Sequence, residues 1–374
     1  MVFNLFKKKK PVEEKSNMNA HYHNLQVREI IKETADAITI VFNHPENKKI
    51  QYKAGQFLTL IMTINGERIR RAYSMCTSPL VDDYPAVTVK VVEGGKMSGF
   101  LIKNLKVGDI IEVMEPMGHF TTDLLEKNKR HIILFGGGSG ITPLMAILKS
   151  ILYGEPQSII SLIYANRDEN SVIFKDKIKE LQHKFTGRFN VIHVLDNAPL
   201  NWQGPSGLLN PDMLKKILAE LPIWSPENTQ YLMCGPEGMM NNVENTLNAF
   251  GISKDKIFKE SFVAGTINKA EAAKQAEVVK EESTAHEVTI IYDGEEYKFV
   301  VEPGKTILET ALDLDIDLPY SCQSGLCTAC RGKRLSGKVK MDEEEGLSEQ
   351  ELQEGYVLTC VGHPLTSDVK IEIG

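Results

Sequence analysis

The sequence has no apolar run long enough to cross a membrane as a helix, few cysteines and no excess of positive charge. Of its 374 residues, 42% are hydrophobic and 25% charged, and the formal net charge is −7. We therefore expect no transmembrane segment and no nucleic-acid partner. With only six cysteines in so long a chain, the disulfide framework of a small secreted protein is not indicated.

The first residues, M-V-F-N-L-F-K-K-K-K-P, lack the order of a secretory signal peptide, because their charge follows a very short apolar piece. Residues 1–20 are polar and irregular, and we expect a disordered tail there. Most of the cysteines belong to one motif that needs free thiols, which indicates a reducing compartment and a cytoplasmic protein.

Four cysteines follow a spacing that is typical of iron binding. Cys322, Cys327 and Cys330 form C-x4-C-x2-C, and Cys360 follows in L-T-C-V-G. This spacing matches the plant-type pattern for a 2Fe-2S cluster. Structural zinc sites usually have two separated ligand pairs, which the lone fourth cysteine fits poorly. A thioredoxin-like C-x-x-C would leave two of the cysteines without a role. The sequence therefore predicts a 2Fe-2S cluster on these four thiolates.

Up to residue 124 the chain reads as short strands separated by turn residues. Asn65–Gly66 between two of these segments is a hairpin turn signal. A long helical period is missing, so residues 21–124 are predicted to form an antiparallel β-barrel. The expected strands are Leu25–Ile31, Ala37–Phe42, Gln56–Ile64, Arg68–Ser74, Val87–Val92 and Ile110–Val113.

From about residue 131, apolar strands alternate with helical segments. The first strand leads into G-G-G-S-G at residues 136–140 and then into an apolar helical period. Thr142 is placed to act as the N-cap of that helix and Pro143 as its first residue. Residues 125–264 are predicted to form an α/β doubly wound domain.

The end of the chain has the signals of a small sheet with one helix. Residues 265–285 are charged and Ala-rich, and we expect a linker there. Asp293–Gly294 marks a hairpin, and Thr306 with Glu309 is a capping-box pair that opens a helix. Residues 286–374 are therefore predicted to form a β-grasp, ferredoxin-type domain.

Charge is spread unevenly along the chain. Residues 286–374 hold 8 basic and 18 acidic residues, so their net charge is −10, while the rest of the chain carries +3. Asp342–Glu345 forms an acidic run within this domain. The run is either a solvated face or a means of steering the protein toward a basic partner.

A cluster that passes single electrons needs a converter when the electron source is a hydride donor, and a flavin is such a converter. Arg71, Tyr73 and Ser74 lie in R-A-Y-S on the return strand of the hairpin. An arginine can clamp a flavin phosphate, a tyrosine can stack on the ring, and a serine hydroxyl can reach ring N5. G-K-M-S at residues 95–98 opens a helix whose N-terminus can bind phosphate. Together these features predict a bound flavin; a phosphate site alone leaves both FAD and FMN open.

The glycine loop at residues 136–140 departs from G-x-G-x-x-G, and no acid follows the second strand to bind a ribose 2′-hydroxyl. Arg167 follows that strand instead and could receive a 2′-phosphate, which favours NADPH slightly over NADH. Cys234–Gly235–Pro236 ends a later strand, at the edge where ligands of α/β sheets bind. Cys234 is placed either beside a nicotinamide or in the core, and Cys76 in the core.

The motifs G-G-G-S-G-I-T-P, R-A-Y-S, G-K-M-S and C-G-P resemble those of the ferredoxin–NADP reductase superfamily, and C-Q-S-G-L-C-T-A-C-R-G-K is similar to a plant-type ferredoxin loop. The domain order is similar to that of the reductase subunits of phenylacetyl-CoA epoxidase and related oxygenase reductases. The resemblance covers about residues 22–374 apart from the linker. It implies that Phe262, in K-E-S-F, lies near the flavin ring.

The resemblance, added to the residue patterns, defines two cofactor sites. The residues expected to bind FAD are Arg71, Tyr73, Ser74, Gly95, Met97 and Ser98. Those expected to bind NAD(P)H are Gly137, Gly138, Gly140, Thr142, Arg167, Cys234, Gly235 and Pro236. The residues expected nearest the hydride transfer are Tyr73, Ser74, Cys234 and Phe262.

The combined hypothesis is an electron-transfer reductase that uses NAD(P)H, FAD and a 2Fe-2S cluster in turn. Its expected partner is a terminal oxygenase, of the phenylacetyl-CoA epoxidase kind, or another one-electron protein acceptor. Alternative acceptors are an aromatic-ring dioxygenase, a fatty-acid desaturase or a P450. An alternative of another class is a redox-sensing regulator that binds a metal and a nucleotide without turnover.

Overall fold

A computed structural model describes residues 22–45, 49–222, 224–262, 284–323, 325–344, 346–347 and 349–373. The predicted tail and nearly all of the predicted linker lie outside these residues. The predicted multidomain order is confirmed: an antiparallel sheet, a parallel sheet and a small mixed sheet follow one another along the chain.

The first domain is a six-stranded antiparallel sheet in the order β4-β3-β6-β1-β2-β5. An isolated bridge between Met75 and Val87 joins its two ends, so the sheet curls into the predicted barrel. Asn65 and Gly66 both have positive φ and connect the directly paired residues Ile64 and Glu67, as a two-residue hairpin turn requires. The elements are β1 Tyr22–Lys32, β2 Ala37–Phe42, β3 Phe57–Ile64, β4 Glu67–Ser74, β5 Ala86–Lys90, α1 Lys96–Asn104 and β6 Ile110–Met114.

The second domain is a five-stranded parallel sheet in the order β11-β10-β7-β8-β9. The chain order reverses between β7 and β10, which makes their carboxyl ends the topological switch point where ligands of such sheets bind. The doubly wound prediction is confirmed. The elements are β7 His131–Gly137, α2 Ile141–Gly154, β8 Ile159–Asn166, α3 Lys175–Lys184, β9 Phe189–Leu195, α4 Pro211–Glu220, β10 Thr229–Cys234, α5 Glu237–Ala249 and β11 Ile257–Glu260.

The start of α2 differs from the prediction. Gly138–Gly140 forms a 3-10 turn that leads directly into α2, so Gly140, not Thr142, is the N-cap. Thr142 is the second helical residue, and its hydroxyl donates to the carbonyl of Ser139 at 3.0 Å. The prediction of Thr142 as N-cap was wrong because the flexible glycines 138–140 already form a helical turn, so that α2 starts before Thr142.

Helix α2 is enclosed on all sides. Every residue from Ile141 to Leu152 is buried, as expected of a helix that is apolar around its whole circumference. One side packs on the parallel sheet, and the other shares an apolar cluster with Ala54, Ala86 and Phe120 of the barrel. The first two domains therefore share one apolar cluster, while the barrel interior and the other face of the parallel sheet each have a cluster of their own.

The third domain is a five-stranded mixed sheet in the order β13-β12-β18-β14-β16, with a helix packed on it. The capping box is confirmed: the Thr306 hydroxyl accepts from the Glu309 N–H at 3.1 Å, and the Glu309 carboxylate accepts from the Thr306 N–H at 2.9 Å. The elements are β12 His286–Tyr292, β13 Glu295–Val301, α6 Ile307–Asp313, β14 Arg331–Ser336, β15 Val339–Met341, α7 Glu349–Gln353, β16 Tyr356–Leu358, β17 Gly362–Pro364 and β18 Val369–Ile373.

Candidate functional site

The four cysteines of the predicted cluster site meet in the third domain. The Cys327 thiol contacts that of Cys322, and the Cys360 thiol contacts those of Cys322 and Cys330. Hydrogen bonds with Cys322 and burial raise the pKa of Cys327 and of Cys360 far above the usual range of a thiol. Four soft ligands in one place, three of them buried and Cys322 half-buried, fit the donor set of a 2Fe-2S core, in which each iron takes two protein thiolates.

In the described ranges, no group of three or more His, Cys, Asp or Glu side chains is arranged to hold one metal ion. Hydrogen bonds to its backbone hold the cysteine loop in place. The N–H and the hydroxyl of Thr359 both donate to the carbonyl of Cys330 at 3.1 Å, which fixes Cys360 beside the loop. Gly325 has φ +74°, and a Cβ there would lie 2.7 Å from the Cβ of Glu343. Only glycine fits this position without displacing the acidic segment that packs on it.

Strand β4 presents the predicted flavin residues on its two faces, because side chains alternate along a strand. Tyr73 packs against the barrel core, and burial raises its pKa above the usual range. Arg71 is exposed on the same side, with its guanidinium donating to the carbonyl of Arg70 at 2.7 Å. Ser74 faces the other way. Its hydroxyl is buried and has no hydrogen-bond partner in the described part of the chain, which fits a bound flavin that would supply one.

The N-terminus of α1 is the second part of the predicted flavin site. Gly95 is its N-cap and provides no side-chain cap, so the first N–H groups of the helix remain available to a phosphate. The Ser98 hydroxyl accepts from the N–H of Val92 at 3.1 Å and fixes the loop before the helix. Met97 is buried in the barrel core, so only its backbone can face a ligand.

The predicted nucleotide residues converge at the switch point, apart from Arg167. Cys234 is paired with Gly136 across β10 and β7. A Cβ on Gly140 would lie 2.0 Å from the carbonyl oxygen of Cys234, and one on Gly137 would lie 2.5 Å from the Cδ of Pro236. These glycines are needed because the two loops pass backbone against backbone. The loops leave a narrow glycine-lined edge at the end of the sheet.

Arg167 lies at the end of β8, further along the same edge. Its side chain is 65% exposed and pairs with Asp168 at 3.2 Å. The Asp168 carboxylate also accepts from the N–H groups of Asn170 and Ser171. The hydrogen bond from Arg167, together with these bonds, holds the pKa of Asp168 below its usual value. Because its side chain is exposed, Arg167 could turn toward a ligand, but it would then have to leave its ion pair with Asp168.

Glu260 is a site residue that the sequence analysis missed. It ends β11, paired with Cys234, and its Oε2 is shielded from solvent without a hydrogen-bond partner in the described residues. Burial raises the pKa of Glu260 to about 8, and burial together with this carboxylate raises the pKa of Cys234 well above its usual value. Phe262 follows two residues later and is 43% exposed. The available signal was the position of Glu260 at the end of a strand within K-E-S-F.

One side chain links the barrel site to the cysteine loop. Phe57 is paired with Ser74 across β3 and β4. The same Phe57 packs with Cys327 and Ala329 in a small apolar cluster, against which Met117 and Cys322 also pack. The face of β4 that carries Ser74 is thus next to the predicted cluster ligands.

Comparison with known proteins agrees with this arrangement. Profiles described as an oxidoreductase FAD-binding domain, an oxidoreductase NAD-binding domain and a 2Fe-2S iron-sulfur cluster binding domain match residues 24–122, 134–245 and 290–365. A component of the 1,2-phenylacetyl-CoA epoxidase of Escherichia coli (strain K12) is 34% identical over 355 residues, which cover 94% of this chain and 97% of that protein. The chain belongs to the oxygenase reductases of the ferredoxin–NADP reductase superfamily.

Other members of this group cover the chain equally well. The ferredoxin reductase component of 3-ketosteroid-9-alpha-monooxygenase from Rhodococcus rhodochrous is 37% identical over 354 residues, covering 93% of this chain and 96% of that protein. The solved structure of phthalate dioxygenase reductase has the same fold, with a TM-score of 0.59 at 21% identity, and the match covers 94% of this chain and 98% of that one.

The protein is therefore an NAD(P)H-dependent electron-transfer oxidoreductase with FAD and a 2Fe-2S cluster, and the predictions of fold, activity and cofactors are confirmed. FAD, rather than FMN, is the flavin that the matching profile names. Among the described residues, no helix has both the length and the apolar character needed to traverse a bilayer.

Proposed function

We propose that this reductase accepts a hydride from NAD(P)H at the switch point of the parallel sheet and delivers single electrons, through Cys322, Cys327, Cys330 and Cys360, to a terminal oxygenase. FAD, when bound, supplies the conversion from two-electron to one-electron transfer. The chain itself binds and orients the cofactors and excludes water between them. The domain limits that we propose are 21–124, 125–264 and 286–374.

The observation that carries this proposal is the position of Phe57. It is the cross-strand partner of Ser74 and packs on Cys327. Phe57 would thus be a buried, apolar side chain between a flavin held at Ser74 and the cluster ligand Cys327. Burial on both sides also keeps water and small oxidants out of this path.

In the flavin site, we assign the phosphate to Arg71 and to the N-terminus of α1 with Gly95, Met97 and Ser98. Tyr73 holds the plane of the ring, and the unpartnered hydroxyl of Ser74 binds its polar edge. These assignments are supported by the free N–H groups at the start of α1 and by the buried, unpartnered hydroxyl of Ser74.

In the nucleotide site, we assign the phosphates to the loop of Gly137, Gly138 and Gly140 and the start of α2 at Thr142. Cys234, Gly235 and Pro236 form the opposite wall, where the nicotinamide binds. Arg167 binds the ribose end. Glu260 lies beside Cys234, and its raised pKa keeps this wall uncharged at neutral pH. We assign Phe262, two residues further on, a place near the flavin ring.

The proposed partner is a terminal oxygenase component, because both relatives carry the names of oxygenase systems. A phenylacetyl-CoA epoxidase-like partner is the first candidate; an aromatic-ring dioxygenase, a desaturase or a P450 is the second. The net charge of −10 on residues 286–374 supports a partner with a basic docking surface. We propose that both proteins act in the cytoplasm.

Anaerobic titration of the purified, reconstituted protein with NADH and with NADPH tests the proposal. We expect overlapping flavin and iron–sulfur absorption bands that both bleach, with about two irons and two sulfides for each chain. The nucleotide that bleaches the bands at the lower concentration is the preferred donor. A protein that stays colourless after reconstitution, or whose flavin band bleaches while its cluster stays oxidised, would contradict the electron path.

A further inference from the structure

Arg70 is a charged barrel residue that is buried by the third domain. Its side chain is 1% exposed. Nη2 donates to Oδ1 of Asp317 at 2.5 Å, and Nη1 donates to the carbonyl oxygen of Leu318 at 3.2 Å. The guanidinium also lies over the ring of Tyr320, 4.6 Å from its centroid. All three partners belong to the segment that leads directly into Cys322.

Arg68 completes this contact from the same face of β4. Its Nη1 donates to Oδ2 of Asp317 at 2.7 Å, while its Nη2 donates to Glu112 of the barrel at 3.0 Å. Both carboxylate oxygens of Asp317 are thus bound by arginines of one strand. The side chains of residues 68, 70 and 74 point the same way, because alternation places every second residue on one face.

We propose that Arg70 is a positioning residue for electron transfer within this protein. By binding Asp317, Leu318 and Tyr320, it fixes the segment before the cysteine loop and so holds Cys327 against Phe57. This role rests on the proposed function, since it concerns the step between the flavin site and the cluster site. The family motif R-A-Y-S begins at Arg71, on the opposite face of the strand, and does not include Arg70.

The contact of Arg70 with Asp317 and Leu318 suits a docked position of the third domain that is well defined and yet reversible. The planar guanidinium fixes direction, because its donors match a carboxylate and a carbonyl only in one orientation. The net energy of a buried ion pair is small, because both charges are well hydrated when they separate. A wrongly docked third domain that still covered Arg70 would leave its charge buried without a partner, which is strongly unfavourable. The contact therefore selects one pose without making it permanent.

The test compares Asp317→Asn and Arg70→Lys in the full-length, reconstituted protein, with Asp313→Asn as the matched control. Asp313 forms an ion pair with Lys305 at 2.7 Å in the same domain, and both side chains are exposed. Stopped-flow absorption resolves flavin reduction by NAD(P)H from the later reduction of the cluster. We expect both interface variants to slow the second phase by about tenfold or more, with the first phase and the control unchanged.

Two further readouts separate positioning from a loss of folding. Amide hydrogen exchange should become faster at residues 316–322 in both interface variants while the sheet of the third domain stays protected. Rising salt screens the exposed Arg68–Asp317 pair, so it should slow cluster reduction in the wild type but not in Asp317→Asn, which has lost this pair. Asp317→Glu, which keeps the charge, should restore most of the rate.

Wild-type cluster-reduction rates in Asp317→Asn, with unchanged exchange at residues 316–322, would overturn the proposal. This variant decides the matter even if Arg70→Lys does not fold, because Asp317 is 54% exposed. If the wild type shows no cluster reduction at all, the proposed function fails rather than the role of Arg70.

Discussion

The barrel has two neighbours, and it contacts them in different ways. With the parallel-sheet domain it shares helix α2 and one apolar cluster. The polar contacts there are also buried: the hydroxyls of Ser78 and Ser150 lie 2.6 Å apart, and Lys149 pairs with Asp82 at 2.5 Å. With the third domain it shares a cluster of five apolar or thiol side chains, one of which is Phe57, and the ion pairs of Arg68 and Arg70 with Asp317.

This difference indicates which parts of the reductase move together. A large apolar cluster shared by two domains cannot open without exposing its whole surface to water, so the flavin and nucleotide sites keep a fixed geometry. A small apolar cluster ringed by ion pairs can open at modest cost, because the charges regain water. Hydride transfer needs the first property, and delivery of electrons to a separate protein benefits from the second.

The largest expected effect comes from removing the third domain's function while leaving the shared core intact. Cys327→Ser should abolish reduction of a one-electron protein acceptor, because a cluster ligand is lost. NAD(P)H oxidation by an artificial two-electron acceptor should continue at the wild-type rate. Parallel steady-state assays with the two acceptors measure this. Cys76→Ala, which changes a buried cysteine of the barrel core, should keep both activities; equal loss of both in Cys327→Ser would disprove the separation.

Ile147→Ala tests the apolar cluster that the first two domains share. Ile147 is fully buried in α2, and its Cδ1 approaches Gly55 of the barrel. Its truncation should lower the free energy of unfolding by about 2–5 kcal/mol. Urea unfolding followed by flavin fluorescence and by cluster absorption should show the loss in the flavin signal first. Leu314→Ala, at an exposed site in the third domain, should change stability by less than about 0.5 kcal/mol. Equal losses would contradict a core confined to the first two domains.

The raised pKa of Glu260 predicts that the stability of the first two domains depends on pH. Its pKa is raised from 4.5 to about 8, so between these values the folded state holds a proton that the unfolded state releases. Stability should therefore fall as pH rises from about 5 to about 8 and level off above that. Glu260→Gln should flatten this slope, as measured by urea midpoints at pH 6 and pH 8.5. Glu220→Gln, on the exposed end of α4, should keep it; a persistent slope in Glu260→Gln would exclude this carboxyl as its source.

The smallest expected effect concerns the acidic surface of the third domain. Glu344 is exposed in the acidic run that packs on the cysteine loop. Glu344→Gln should lower kcat/KM for the protein acceptor by a few-fold at low ionic strength, with no change at high salt, because charge steering is screened. Glu302→Gln, in the turn after β13, serves as control. An unchanged kcat/KM in Glu344→Gln at low ionic strength would favour a solvated face over steering.

The sequence was informative wherever local chemistry decides structure. The Asn65–Gly66 turn, the Thr306–Glu309 capping box and the glycines of residues 136–140 each act within a few residues, and the structure shows each where the pattern predicted it. Thr142 failed as an N-cap because an equally local competitor, the preceding glycine turn, began the helix earlier.

The residues that were missed depend on distant parts of the chain. Glu260 has a raised pKa only because β11 lies beside β10 and buries it against Cys234. Arg70 is an ordinary strand arginine until a segment 247 positions away covers it. No pattern within either segment contains this information. Candidate residues for FAD, NAD(P)H and the cluster could be named from the motifs, but not the Phe57 contact that brings two of the sites together.

The two arginines that hold Asp317 also bear on the construction of chimeric reductases. A foreign ferredoxin module joined behind residue 262 would meet a strand that presents two positive charges. A module without a carboxylate ahead of its first cysteine would leave Arg70 without its ionic partner. We expect electron transfer from the flavin to the cluster of such a chimera to be slow. Swapping such modules thus calls for transplanting the aspartate along with the iron ligands.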